Sequence, residues 1–312
     1  MIEPSSESVL VIGASSSDIK GRASNTLQRG TSNAGVVRRS LGGVARNIAE
    51  NLARLDLNVT LLTAVGDDHA GRQIMQLGDD LGIDMSPSLV VEGGHTGAYI
   101  AVVDETGQLS VAIDDMSVSE AITPRYVNDR RRLFAEAAML VVDGNLSPAT
   151  LQTIFGLALK HQLPICVDPT STALAERFCG YLRNVRLIAP NVEEAARLTD
   201  KPPARTPEDA LDVARGLVAA GVRFAILTLG EQGTAYATPN ESGHVPAMHV
   251  EVVDPSGAGD ALTAAVIFAA FNHIPAPEAV RLGIAAATLT LQSEYTVRPD
   301  LSLEKLYEQL AA

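Results

Sequence analysis

Cysteine is almost absent: the chain of 312 residues has two, Cys166 and Cys179. They show no zinc-ligand spacing, which excludes a disulfide framework and reads as two reduced thiols in a cytoplasmic protein. A chain of about 300 residues buries roughly three-quarters of its unfolded surface, so it needs neither cross-links nor a structural metal to fold. Positive charge is scarce as well. Lys and Arg number 24 against 37 Asp and Glu, a net charge of −13; that balance repels phosphate backbones and excludes a general nucleic-acid binder, although an anionic ligand can still find a local positive site. Long apolar runs are missing, since a stretch such as Ala261–Phe271 falls well short of the ~20 residues that span a bilayer. The chain therefore reads as soluble. Its opening residues, MIEPSSES, are acidic and polar where an export signal is basic and then apolar, so nothing directs it out of the cytoplasm. The six histidines show no metal-like pairing, and no Walker lysine motif occurs.

What is present is a regular alternation. Short β-rich apolar runs exchange with longer Ala- and Leu-rich helical patterns, the arrangement of an α/β protein whose mostly parallel sheet is covered by helices on both faces. Strands are predicted at Val9–Ile12, Val59–Ala64, Met139–Asp143, Ile165–Asp168, Leu187–Ala189 and Phe224–Leu229, and their near-continuous apolarity suits central positions. Helices are predicted at Val44–Leu55, Gly71–Leu81, Pro148–His161, Val192–Thr199, Pro207–Ala220, Ala258–Asn272 and Pro277–Gln292. Two stretches break the rhythm. Thr96–Ile113 alternates around a turn at Asp104–Gly107, as a hairpin does. Ser17–Arg22 and Val36–Ser40 flank the polar loop Ala23–Gly35, which is short enough to be an ordered flap. The expected organisation is one domain over residues 1–312, with a small β lid formed by about 14–41 and 94–115 and the remainder as an α/β core.

The sharpest chemical signal is Asp254-Pro255-Ser256-Gly257-Ala258-Gly259-Asp260, followed at once by a helical run. Glycines at a helix start let backbone N–H groups approach a ligand, and the helix adds partial positive charge, so the turn is an anion cradle. Asp260 is either a first-turn acid favoured by the helix dipole or a general base. Gly42-Gly43-Val44-Ala45-Arg46-Asn47 opens another helix, with Arg46 and Asn47 as polar groups in its first turn. Thr228-Leu229-Gly230-Glu231-Gln232-Gly233 ends a strand and is weak by itself. Asn191 and Glu194 follow a strand, where open sheets place ligands, but an N-cap with first-turn acids describes them equally well.

In this order and spacing, LGGVARNIAENLARLDLNVTLLTAVGDDHAG, APNVEE, TLGEQG and DPSGAGDA resemble the ribokinase-like (PfkB) carbohydrate kinase family over essentially the whole chain. The resemblance implies a three-layer α/β sandwich with a β lid, ATP as phosphoryl donor with Mg2+, and a homodimer built through the lid. It implies Asp260 as the base and the N–H groups of Gly257, Ala258 and Gly259 as the anion hole. It further implies Asn191 and Glu194 around magnesium and water, and Thr228, Gly230 and Gly233 on the ATP side. Asp18, Gly42, Gly43 and Asn47 match the positions that hold sugar hydroxyls, with Ser16 able to add one contact. Asp254 and Ser256 match a loop that holds a monovalent cation such as K+, although Pro255 replaces the usual Thr and removes a backbone donor. The segments AIDDM, AIT, DGN and SEYT with PDLS resemble a nucleoside-phosphorylating branch whose acceptor is the 5′-hydroxyl of a ribosyl group bearing a C-linked pyrimidine. Arg46 would then place a guanidinium at the mouth of the sugar site, within reach of a base or a phosphate. Asp115 at the end of a lid strand would accept from the N–H groups of the base. Alternatives are a kinase of the same fold acting on ribose, a sugar acid or a purine nucleoside, and a non-catalytic sensor.

Overall fold

The computed structural model describes residues 8–311, so the opening segment read above lies almost wholly outside the described residues. The strands are β1 (Ser8–Ile12), β2 (Ser16–Ala23), β3 (Gly35–Gly42), β4 (Asn58–Leu62), β5 (Ala64–Gly66), β6 (Leu89–Val91), β7 (Gly97–Val103), β8 (Leu109–Asp115), β9 (Ala137–Asp143), β10 (Ile165–Asp168), β11 (Leu187–Ile188), β12 (Phe224–Thr228), β13 (Thr234–Ala237) and β14 (Ser242–Val245). The helices are α1 (Val44–Arg54), α2 (His69–Asp80), α3 (Pro124–Asp129), α4 (Leu133–Glu136), α5 (Pro148–Lys160), α6 (Thr172–Ala175), α7 (Val192–Thr199), α8 (Pro207–Ala219), α9 (Ala258–Phe271), α10 (Ala276–Leu291) and α11 (Leu303–Ala311).

Eight strands form the central sheet in the order β14-β13-β12-β11-β10-β9-β1-β4. All pairs from β12 to β4 are parallel, and β13 and β14 close one edge as an antiparallel hairpin. Because successive strand residues point to opposite faces, β1 divides its apolar side chains between two cores. Val9 and Val11 pack with α1, α9 and α10, whereas Leu10 and Ile12 pack with α5 and α8. These are the three layers. Helix α9 is apolar on every side, as a helix buried between α1 and α10 must be. Both cysteines are free, and burial pushes the Cys166 thiol up to about 12. Among the described residues no helix is long and apolar enough to cross a membrane.

A second sheet has the order β3-β2-β7-β8, two antiparallel hairpins joined by the parallel pair β2–β7. The β7–β8 turn closes where predicted: Gly107 N–H donates to Asp104 O at 3.0 Å, and Asp104 Oδ1 accepts from Thr106 and Gln108 N–H. The flap between β2 and β3 is held by Ser24 N–H on Ala34 O and by Asn33, which bridges both backbone groups of Gln28. The strand predicted over Val59–Ala64 breaks at Thr63 instead, because β5 leaves the main sheet to pair with β6.

Candidate active site

The central strands β1, β9 and β10 end at one edge of the sheet, where parallel α/β sheets bind ligands. Register places Asp168 directly beside Asp143 there. Asp143 is fully buried and its carboxylate accepts from the N–H groups of Ala14 at 2.8 Å, Ala45 at 3.2 Å and Asn145 at 2.9 Å. It therefore ties the end of β1 to the start of α1. Burial raises its pKa, and those three donors work against the rise.

Helix α9 begins at Gly257, which has φ 77° and sits so close to Thr296 that a Cβ would lie 1.9 Å from its carbonyl oxygen. Only glycine fits. No side chain caps this helix, which leaves the N–H groups of its first turn for an anion, and beside Gly259 a Cβ would meet nothing within 4 Å. Asp260 stands in that turn, and its Oδ2 accepts from Nδ2 of Asn47 on α1 at 2.5 Å. Burial pushes Asp260 up to about 7, opposed by the Asn47 hydrogen bond and the Arg46 charge and reinforced by Asp18 and Asp143.

Arg46 lines the cleft but is largely buried in its wall. It is 5% exposed, and its guanidinium donates to Glu50, to the Asn47 side-chain oxygen and to the carbonyls of Leu41 and Gly42. A buried cation is tolerated only when paired and hydrogen-bonded, and Glu50, one turn along the helix, supplies that pairing while also accepting from Arg54. Arg46 thus holds the Asn47 oxygen and turns its NH2 group toward Asp260. Asp18 lies on β2 close against Gly42, where a Cβ would come within 2.1 Å of its carboxylate, and it accepts from Ser16 Oγ at 2.7 Å. Burial raises the Asp18 pKa, opposed by Ser16 and Arg46. Gly43, with φ 93°, is the turn into α1.

The small sheet is fastened to the loop that opens α9. Lys20 Nζ on β2 lies 2.8 Å from Asp254 Oδ1 and 3.4 Å from Ser256 Oγ, and Ser40 on β3 accepts from Thr296 at 3.1 Å. Asp254 and Ser256 are the residues expected to hold a monovalent cation. They already carry a covalently tethered ammonium, so this pair does not fit a free ion.

Across the sheet, Asn191 caps α7. Its side chain accepts from Glu193 and Glu194 N–H at 3.0 Å each, and Glu194 accepts from Asn191 N–H at 3.0 Å, a reciprocal capping box. A backbone bridge joins Asn191 to Thr228, which brings the pair beside the loop of Gly230 and Gly233. Glu194 is 6% and Asp168 8% exposed, and burial raises both pKa values, that of Asp168 further through the charges of Asp260 and Glu194. Among the described residues no group of three or more His, Cys, Asp or Glu side chains is gathered closely enough to hold a metal ion by itself, so a hard cation such as magnesium would be held here largely through water.

Asp115 is the second departure from expectation. Its partner on β7 is Ala98, whereas Tyr99 and Asp114 lie in register with Asp18, so strand alternation puts Asp115 on the other face of the sheet. There it is exposed and accepts from Ser117 N–H. A cleft of about 820 Å3 runs along the inner face, lined by Asp18, Lys20, Tyr99, Ala101, Arg46 and Ser256 among others. Asp260 is joined to its wall through Asn47, the neighbour of Arg46. Lys20, Tyr99, Asp143 and Asp168 were not singled out from sequence as site residues. The two aspartates had a signal, since each is a charge that ends an apolar strand.

The model of the pfkB family carbohydrate kinases matches residues 6–302. Among curated proteins the chain is 32% identical to the pseudouridine kinase of Escherichia coli strain K12, over 95% of this chain and 94% of that one. It is 29% identical to the guanosine-inosine kinase of Exiguobacterium acetylicum, over 91% and 94%. Among solved structures, Arabidopsis thaliana ribokinase complexed with ribose and ATP superposes with a TM-score of 0.82 at 22% identity, covering 98% of this chain and 99% of that one.

Proposed function

The chain belongs to the pfkB family of carbohydrate kinases, enzymes that transfer a phosphoryl group to a hydroxyl, and we propose that its acceptor is pseudouridine, phosphorylated on the 5′-hydroxyl by ATP to give pseudouridine 5′-phosphate and ADP. The observation that carries this reading is the cleft of about 820 Å3 beside Asp18, which is of a size that takes a whole drug-sized ligand. It leaves room for a base beyond the sugar. The full-length likeness to a pseudouridine kinase supports the same acceptor.

Asp18, Ser16 and the backbone at Gly42 and Gly43 hold the ribose hydroxyls. Asn47 positions Asp260, whose carboxylate takes the 5′-hydroxyl proton as the new O–P bond forms. That proton grows more acidic along the reaction, so a carboxylate suffices as acceptor and most of the rate comes from positioning and charge neutralisation. The N–H groups of Gly257, Ala258 and Gly259 and the positive end of α9 receive the charge on the transferring phosphoryl group. Thr228, Gly230 and Gly233 border the nucleotide. Magnesium, when bound near Glu194 and Asn191 largely through water, neutralises phosphate charge.

The four-stranded sheet serves as the lid, and its outer face is assigned to a second copy of the chain. Val37, Ile100, Val111 and Ile113 share that face by strand register and are 44–67% exposed, an apolar grouping of the kind that suits an interaction surface. A cytoplasmic location agrees with ATP as donor and with two free thiols.

The test is ATP- and magnesium-dependent phosphorylation of pseudouridine, uridine, inosine and ribose in parallel. Turnover selective for pseudouridine is expected. Preference for inosine would move the acceptor to the purine nucleosides, as the likeness to a guanosine-inosine kinase allows, and preference for ribose would discard a nucleoside acceptor.

A further inference from the structure

Three lid residues stand in one row across the inner face of the small sheet. Asp18 on β2 pairs with Tyr99 on β7, and Tyr99 pairs with Asp114 on β8. Neighbouring strands lie about 4.8 Å apart, so the row spans about 10 Å from the first carboxylate to the last. That is the reach of a nucleoside from its sugar hydroxyls to the outer edge of its base. Tyr99 and Asp18 both line the cleft, and below Tyr99 the same face continues as Ala101 and Val103. Tyr99 is half-buried. Burial raises its pKa, and the charges of Asp18 and Asp114 raise it further, which agrees with its place between the two carboxylates.

We infer that Tyr99 is the platform on which the base of the acceptor stacks, and that Asp114 accepts a hydrogen bond from a ring N–H at the base's outer edge. The inference rests on the nucleoside reading above and adds the residues that read the base. An ionised carboxylate can only accept, so Asp114 favours a base that presents N–H groups. A C-linked pyrimidine offers two of these, because neither ring nitrogen is consumed by the glycosidic bond. An N-linked one keeps a single ring N–H. The aromatic face of Tyr99 is indifferent to that difference and supports any planar base.

The experiment measures kcat and KM for pseudouridine, uridine and ribose with the wild-type protein and with Tyr99→Ala, Tyr99→Phe and Asp114→Ala. Tyr99→Ala is expected to raise KM for both nucleosides by about 10- to 100-fold, the usual cost of losing a stacked base, and to lower the ratio of kcat/KM for nucleoside over ribose by the same factor. Tyr99→Phe keeps the ring and should retain most of that ratio, which separates stacking from misfolding. Asp114→Ala should reduce the preference for pseudouridine over uridine by about 10-fold and leave the preference for nucleoside over ribose. A wild-type protein that prefers pseudouridine, with unchanged ratios in Tyr99→Ala and Asp114→Ala, would overturn the inference alone. A wild-type protein with no preference for nucleosides would overturn the nucleoside reading and the inference with it.

Discussion

Nδ2 of Asn47 donates to Oδ2 of Asp260 across 2.5 Å, linking the first turn of α1 to the first turn of α9. The two glycine-rich helix starts that stand apart in sequence thereby become one site. The carboxylate is pushed up to about 7 by burial, and the amide hydrogen bond opposes that push. A base must be ionised to accept a proton, so kcat/KM should rise with pH through an apparent pKa near 7 and level off above it. Asn47→Ala removes a donor that favours the charged form. Its acid limb should move to higher pH, and a pH–rate profile in which it stays put or moves down would contradict the role given to Asn47.

Gly257 combines a left-handed backbone with a close approach to Thr296. Gly257→Ala should displace the first-turn N–H groups of α9, the proposed anion hole, and cut kcat by about 10^2- to 10^3-fold, the cost of losing one such donor, with a smaller change in KM. Circular dichroism and a melting curve close to wild type would show that the fold survives.

Glu50 balances Arg46 and Arg54 inside α1, with both Arg46 and Glu50 side chains 6% exposed. Glu50→Ala strands a buried guanidinium, and breaking such a pair costs about 3–5 kcal/mol. Urea denaturation should register that loss. Arg46→Met together with Glu50→Leu should recover most of it, because an apolar pair carries no desolvation penalty, while kcat stays low for want of the hydrogen bond that orients Asn47.

Lys20 is bonded to Asp254 and Ser256 in the loop ahead of helix α9. Replacing Na+ with K+ should therefore change the wild-type rate by less than about twofold, since a tethered cation offsets the carboxylate already. Lys20→Met should be slower and newly responsive to K+. Strong K+ activation of the wild-type protein would contradict this assignment.

Much of the fold was legible because parallel strands and their covering helices carry long, unambiguous apolar patterns. Strands β9, β10 and β12 and helices α1, α5, α7, α8 and α9 lie within two residues of their predicted bounds. Strands β13 and β14 were not, since TAYA and SGHV are short and partly polar, as an antiparallel edge can be. Helix α11 went unpredicted for a similar reason: LEKLYEQLA has one fully buried residue, Leu306, and a narrow apolar stripe. In the site, local chemistry marked Asp260 and the glycines around it. The partners that set their behaviour come from distant segments, as Lys20 meets Asp254 and Asp143 meets Ala14. Arg46 and Asp115 were read as ligand contacts because sequence reveals a residue type and not its direction. Register decides that Asp115 faces away, whereas Arg46 does line the cleft, with its guanidinium bonded to Glu50, to Asn47 and to two backbone carbonyls.

The most direct test of the kinase chemistry follows the 5′-carbon of pseudouridine by 31P and 1H NMR during incubation with ATP and magnesium, with wild-type protein and with Asp260→Asn, a near-isosteric variant without a base. Stoichiometric pseudouridine 5′-phosphate and ADP are expected from the wild type, with a rate about 10^2- to 10^4-fold lower in the variant. Phosphorylation at another hydroxyl, or equal rates in the two proteins, would contradict the assignment of Asp260 as the base at the 5′ position.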